Sequence, residues 1–133
     1  MSVSGIARSG LDASMLRLTA SASNIANVQS NGVVPGSAAD GSGQRAYQPV
    51  RADVSPTAGG AVQARLAPVD PAYRLTYDPG SRLADAQGMV AAPNVDVTGE
   101  LVEQIAAKLA FEANLKVIAT ANELERGTIR LWG

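Results

Sequence analysis

The sequence predicts a mainly α fold with a small β element, in which two long terminal helices form a coiled-coil-like pair and flank a short Pro/Gly-rich β region. Three observations carry this. All seven prolines lie between Pro35 and Pro93, and eight of the thirteen glycines lie between Gly32 and Gly88. Apolar residues recur at helical spacing on both sides of that block, and inside it they alternate with polar ones. Proline lacks an amide hydrogen and clashes with the preceding helical turn, so long helices are confined to the two ends. The divisions that follow are an N-terminal helix over residues 1–31, a Pro/Gly-rich loop and small β region over 32–94, and a C-terminal helix over 95–133.

In the first helix the larger apolar residues Leu11, Met15, Leu18 and Ile25 form one row with Ala22, at steps of 4, 3, 4 and 3. That is an amphipathic seam of near-heptad spacing. The remaining surface is small, with Ser9, Ala13, Ser14, Ala20, Ser21 and Ser23. Small side chains admit a neighbouring helix closely but offer little area for stability alone, so the ordering of this helix depends on partners. Gly5 and Gly10 each lower its propensity by about 1 kcal/mol relative to Ala. Its end is expected near Asn31-Gly32, a good pair for a left-handed cap.

The last helix is expected from about Asp96 to Arg130, a length of roughly 50 Å at 1.5 Å per residue. Val102, Ala106, Leu109, Ala113, Val117, Ala121 and Leu124 form its row, widened by Leu101, Ile105 and Ile118. Asp96 or Thr98 suits its N-cap, Glu100 and Glu103 suit the positive end of the dipole, and Arg126 and Arg130 suit the other end. Glu112 and Lys116 form an i, i+4 pair, and Gly127 is a point where the helix ends or frays. The two helices pair either within one molecule or between neighbours.

Between them, residues 36–44 read as a flexible loop. Val62, Ala64 and Leu66 alternate with polar residues after the Gly59-Gly60 turn, and Tyr73, Leu75 and Tyr77 form a second alternating run. A third strand is expected over residues 46–54, with Pro49 at its edge. Tyr77-Asp78-Pro79-Gly80 is a turn.

Composition excludes several function classes. The net charge is −1, so no long-range field favours nucleic acid or anionic lipid. Cysteine and histidine are both absent, which removes disulfides, thiolate metal sites, the commonest general base and the commonest metal ligand. Only 4% of residues are aromatic, so a thick self-contained core is not expected. No apolar run of about 18 residues exists for a membrane span. MSVSGIARSG does not have a charged leader followed by an apolar run, so a cleaved secretory signal is not expected. Asp78 with Asp85, or Glu100 with Glu103, are carboxylate pairs, but turn and cap roles account for them and no His, Cys or metal cluster supports catalysis. Gly59-Gly60 and Gly41-Ser42-Gly43 have no Lys-Ser/Thr ending of a phosphate loop. Trp132 reads either as a frayed-end residue or as a docking anchor.

SASNIANVQSNG (residues 21–32), preceded by Ser9-Gly10-Leu11, resembles the amino-terminal signature of the flagellar rod, hook and hook-associated proteins. LAFEANLKVIATANEL (109–124) resembles their carboxy-terminal motif, an aromatic residue before Glu-Ala-Asn. YDPGSRLADAQGMVAAPNVDV (77–97) is similar to the stretch before the last helix in the flagellar basal-body rod protein family, most closely its short proximal-rod type designated C. The chain departs from the pattern at Ser30-Asn31-Gly32, where Thr-Pro-Gly is frequent, at Ser81-Arg82, where His-Pro is frequent, and at Met89, where an aromatic is frequent.

The resemblance implies a structural subunit of the rod, polymerising through the terminal helices into a drive shaft that crosses the periplasm and transmits torque. It implies no enzymatic activity, no cofactor, no nucleic acid and no small-molecule substrate. The implied partners are the chain itself, neighbouring rod proteins, and the flagellar export apparatus and basal-body ring during assembly, with export that involves no cleaved signal peptide. The residues expected at subunit interfaces are Leu11, Met15, Leu18, Asn24, Ile25, Asn27, Leu101, Val102, Ile105, Leu109, Ala113, Asn114, Val117 and Leu124. For Asn24 and Asn27, capping and register-fixing polar contact are both open. The competing reading is a small helical binding module or export chaperone of the flagellar type III system.

Overall fold

The computed structural model describes residues 2–37 and 43–132, with side chains to residue 130. The expected loop over 36–44 and the Gly41-Ser42-Gly43 segment fall in part, and the side chain of Trp132 wholly, outside the described residues.

Helix α1 spans Val3–Ala26 and helix α2 spans Val97–Trp132, with four strands between them: β1 Val50–Pro56, β2 Val62–Pro68, β3 Tyr73–Tyr77 and β4 Met89–Pro93. Ser2 caps α1, its side chain accepting the Gly5 N–H at 3.2 Å. The helix ends earlier than Asn31-Gly32. Its C-cap is Asn27 at φ −108°, so the cap is not left-handed, and Asn27 Nδ2 donates to the Ser23 carbonyl at 2.9 Å. Gly32 is needed for a different reason. A Cβ there would stand 1.9 Å from the Ala46 nitrogen and 2.2 Å from the Arg45 carbonyl carbon.

Asp96 opens α2, accepting the Thr98 N–H at 3.1 Å. The helix continues through Gly127, which meets nothing within 4 Å. The observed i, i+4 contact is Lys108 with Glu112 at 3.9 Å, rather than Glu112 with Lys116.

β1 and β2 form an antiparallel hairpin from Val50↔Pro68 to Pro56↔Val62, and β3 and β4 a second from Tyr73↔Pro93 to Tyr77↔Met89. The expected third strand begins later than residue 46, at Val50, directly after Pro49, which is buried. β4 was not among the expected strands: MVAAP is a short apolar run without alternation, buried almost throughout. Gly32 bridges to the far side of β4, where Gly32 N–H and Ala91 N–H each donate to the other's carbonyl at 2.8 and 3.0 Å.

α1 lies between α2 and the β1–β2 hairpin and touches both. Two small cores result. One is the small-residue packing around α1. The other lies beside β4, where Val33, Leu83 and Val90 are buried together with Ala84 against them. Few large side chains fill either, as the scarcity of aromatics foretells.

Candidate functional site

The two helices run antiparallel, and their contact face is made of small and polar residues. On α1 it is the row Ala7, Gly10, Ser14, Arg17, Ser21 and Asn24, whose steps of 3, 4, 3, 4 and 3 satisfy the same heptad spacing as the larger apolar row. Ser14, Ser21 and Asn24 are buried at 3%, 1% and 1% exposure. On α2, among the described side chains, Ala107 is the fully buried one. The rows are one residue apart, about 100° around the helix axis.

Each turn of this face carries a specific contact. Gly10 lies against Asn114, where an added Cβ would come 2.6 Å from the amide nitrogen. Asn114 itself donates to the Ala110 carbonyl at 2.8 Å. Arg17 makes a two-pronged ion pair with Glu103, Nε to Oε1 at 2.5 Å and the second nitrogen to Oε2 at 2.9 Å. Hydrogen bonding to Glu103 raises the Arg17 pKa above its usual value; partial burial opposes this and the Glu103 charge adds to it. Ser21 Oγ donates to the Glu100 carbonyl at 2.8 Å.

Asn24 is the centre of the arrangement. Its Nδ2 donates to the Val50 carbonyl at 2.7 Å and to Glu100 Oε1 at 2.6 Å. Its Oδ1 accepts from Val50 N–H at 3.0 Å and from Tyr47 OH at 3.1 Å. A carboxamide has two donors and two acceptor lone pairs, and all four are used. Toward Val50 the side chain acts as a peptide unit would, closing the outer edge of β1. One residue thus fixes the register of α1 against β1 and α2. Ser9 plays a smaller equivalent part, its Oγ accepting Val62 N–H at 3.1 Å.

The fourteen residues expected at interfaces therefore fall into three groups. Asn24, Asn27 and Asn114 make hydrogen bonds inside the chain. Leu11, Leu18 and Ile25 are half-buried and Met15 is exposed. On α2, Leu101, Val102, Ile105, Leu109, Ala113, Val117 and Leu124 are all exposed. The row through Val102, Leu109 and Leu124 is thus not the contact of the helical pair. Among its larger members Val102 and Ile105 stand at 62% exposure, Leu109 at 61% and Leu124 at 68%. Sequence reasoning passed over Ser21, Tyr47, Val50 and the Arg17–Glu103 pair. For Arg17 and Ser21 the signal was the second, small-residue heptad row; Tyr47 and Val50, outside the helices, had no such signal.

Pockets beside these elements are shallow clefts. One of about 370 Å³ between Arg17, Val50, Asp96 and Glu100 is open to solvent. Among the described residues no group of three or more potential metal ligands comes together, and no helix is long and apolar enough to cross a membrane.

A slender antiparallel helical hairpin, stitched inside by small and polar contacts and carrying its large apolar side chains outward, defines a structural packing subunit. Comparison with known proteins specifies which. Residues 86–131 match the family described as the flagellar basal body rod FlgEFG protein C-terminal. The flagellar basal-body rod protein FlgC of Yersinia enterocolitica is 40% identical, over 98% of this chain and 96% of its own. The FlgC protein of Salmonella typhimurium is 38% identical over the same shares, and that of Aquifex aeolicus 32% identical over 96% of this chain and 92% of its own. The chain belongs to the FlgC family of flagellar basal-body rod proteins and is a structural subunit of that rod. The chaperone reading is not favoured by these relatives.

Proposed function

We propose that the chain is built into the rod through the outward face of its helical hairpin, and that its role there is mechanical and not catalytic. The observation that carries this is the stripe of large apolar side chains along α2, from Leu101 to Leu124, left exposed while the helical pair closes through alanine and serine. Fully burying a Leu, Ile or Val contributes about 1.5–3 kcal/mol, so a few such residues per contact suffice to hold neighbours together. Close packing of thin hairpins gives a stiff tube, as torque transmission requires.

In this reading residues 1–31 and 95–133 are the assembly helices, and 32–94 form the outer β region. The half-buried Leu11, Leu18 and Ile25 flank the contact between neighbours, and Asn24, Asn27 and Asn114 hold the hairpin in shape for it. The partners are further copies, other rod proteins, and the export apparatus and basal-body ring during assembly.

Leu109→Asp tests the reading. Leu109 is 61% exposed, so the isolated subunit should keep its melting temperature. Cells carrying the variant should be non-motile, and their basal bodies should have rings without a complete rod. Normal swimming and complete rods would overturn it.

A further inference from the structure

The strand edges of this protein are not treated alike. On β1, Val50 is occupied by Asn24, and Pro56 has no N–H. On β2, the Val62 N–H is taken by Ser9, and Pro68 has none. Each of those outer edges retains only two adjacent outward residues. The outer edge of β4 meets Gly32. Native proteins commonly blunt strand edges by such devices, because an open edge is a template for pairing.

β3 has no such device. In an antiparallel ladder, residues bonded to the partner alternate with residues whose N–H and C=O point away. Asn94 N–H donates to Ala72 C=O at 3.0 Å, and Asp78 N–H to Gly88 C=O at 2.9 Å, so the even-numbered residues of β3 face β4. Ala91, opposite Leu75, turns its own groups to Gly32, which gives the same phase. The N–H and C=O of Tyr73, Leu75 and Tyr77 therefore point outward, and among the described residues none meets another group. Leu75 is 54% exposed and Tyr77 69%.

This edge is complementary to itself. Placed antiparallel to a second β3 about a two-fold axis at Leu75, it opposes Leu75 to Leu75, Tyr73 to Tyr77 and Arg74 to Thr76. Every outward N–H then meets an outward C=O, giving six hydrogen bonds. The tyrosines pair across the strands, and no like charges stand opposite each other. A register shifted by two residues leaves one outward residue on each copy unmatched.

We propose that two copies of the free subunit associate through β3 in this register. The contact is isologous, so it closes on itself and does not propagate. It is distinct from the polar stacking of a rod and does not depend on the α2 stripe. A five-residue edge falls below the roughly 1,200 Å² total of stable interfaces, so the dimer dissociates on dilution.

The test is sedimentation equilibrium of the full chain over about 10 µM to 1 mM, a range that reports weak association. Wild type should pass from monomer to dimer. Leu75→Pro removes an N–H that the β3–β4 ladder does not use, which an edge strand tolerates. It should weaken dimerisation at least tenfold with an unchanged circular dichroism spectrum. If that variant fails to fold, Leu75→Lys places like charges on the axis and takes its place. Because the chain has no cysteine, a direct readout is available. Opposed α-carbons in a bonded pair lie about 5.5 Å apart, within disulfide reach. Leu75→Cys should oxidise to a covalent dimer, whereas Thr76→Cys, opposite Arg74, should not. A wild type monomeric throughout, a dimer indifferent to both Leu75 variants, or equal cross-linking by the two cysteine variants would each overturn the proposal.

Discussion

Replacing Asn24 by Ala removes four hydrogen bonds at once: two to the backbone of Val50, one to Glu100 and one to Tyr47. A hydrogen bond contributes a net of about 1 kcal/mol, and more when a buried partner is left unpaired. Glu100 is only half-buried and recovers water, and Tyr47 keeps its second contact to Ser23 at 2.9 Å. The loss at Val50 is the larger part, because its outward N–H and C=O both lose their partner. Together these give a destabilisation of about 3 kcal/mol, or a fall of about 10 °C in melting temperature for a chain of this length. The assay is urea unfolding of the purified subunit followed by circular dichroism at 222 nm. Asn24→Asp is a sharper probe, since it keeps the shape and replaces both donors by acceptors facing the Val50 carbonyl and the Glu100 carboxylate. At neutral pH it should be at least as damaging as Ala. The neighbouring carboxylate raises the new carboxyl's folded pKa above the unfolded value of about 3.9. The native state then binds more protons, so this variant should recover stability relative to wild type as pH falls through that folded pKa. A loss below about 0.5 kcal/mol for Asn24→Ala, within the scatter of ordinary surface changes, would refute the bracket.

Three further outcomes are expected. Gly32→Ala places a carbon 1.9 Å from backbone that has nowhere to go, and should cost more than about 2 kcal/mol in urea unfolding, beyond any propensity gain. Gly10→Ala should be neutral or destabilising alone but stabilising by up to about 1 kcal/mol in an Asn114→Ala background, a coupling that a double-mutant cycle reads directly. Arg17→Ala should cost about 0.5–1 kcal/mol, because Glu103 is 40% exposed and solvent screens the pair. That cost should shrink in 1 M salt. The folded pKa of Arg17 is raised, so its contribution is fully present below the unfolded value, is lost only as pH climbs past the folded one, and is flat through neutral pH.

The helices, three of the four strands and Asp96 as one of two candidate caps were legible because each rests on local signals: proline exclusion, alternation, a capping side chain. The face on which the helices meet was not. Hydrophobicity singles out Leu11, Met15 and Leu18, but α2 approaches along Gly10, Ser14 and Ser21, where small size allows contact and serine hydroxyls find carbonyls. Two heptad rows one residue apart both fit the spacing, and size decided between them. Asn24 was recognised as either capping or register-fixing. That its four partners lie on three separate segments depends on long-range geometry that spacing does not encode. Gly32 was read through backbone conformation, whereas its constraint is the passing chain at Arg45 and Ala46. β4 lacks alternation because both of its faces are covered.

The ion pair between Arg17 and Glu103 joins positions 86 residues apart in the chain, and Asn24 to Glu100 spans 76. One of the two faces that hold α1 in place is supplied from the far end of the polypeptide. A topology dominated by such distant pairings closes slowly, because the loop entropy is lost before the contacts are made. Until α2 can fold back, the row from Gly10 to Ser21 lacks its partner helix, so the hairpin that is rigid once closed closes only when both ends of the chain are present.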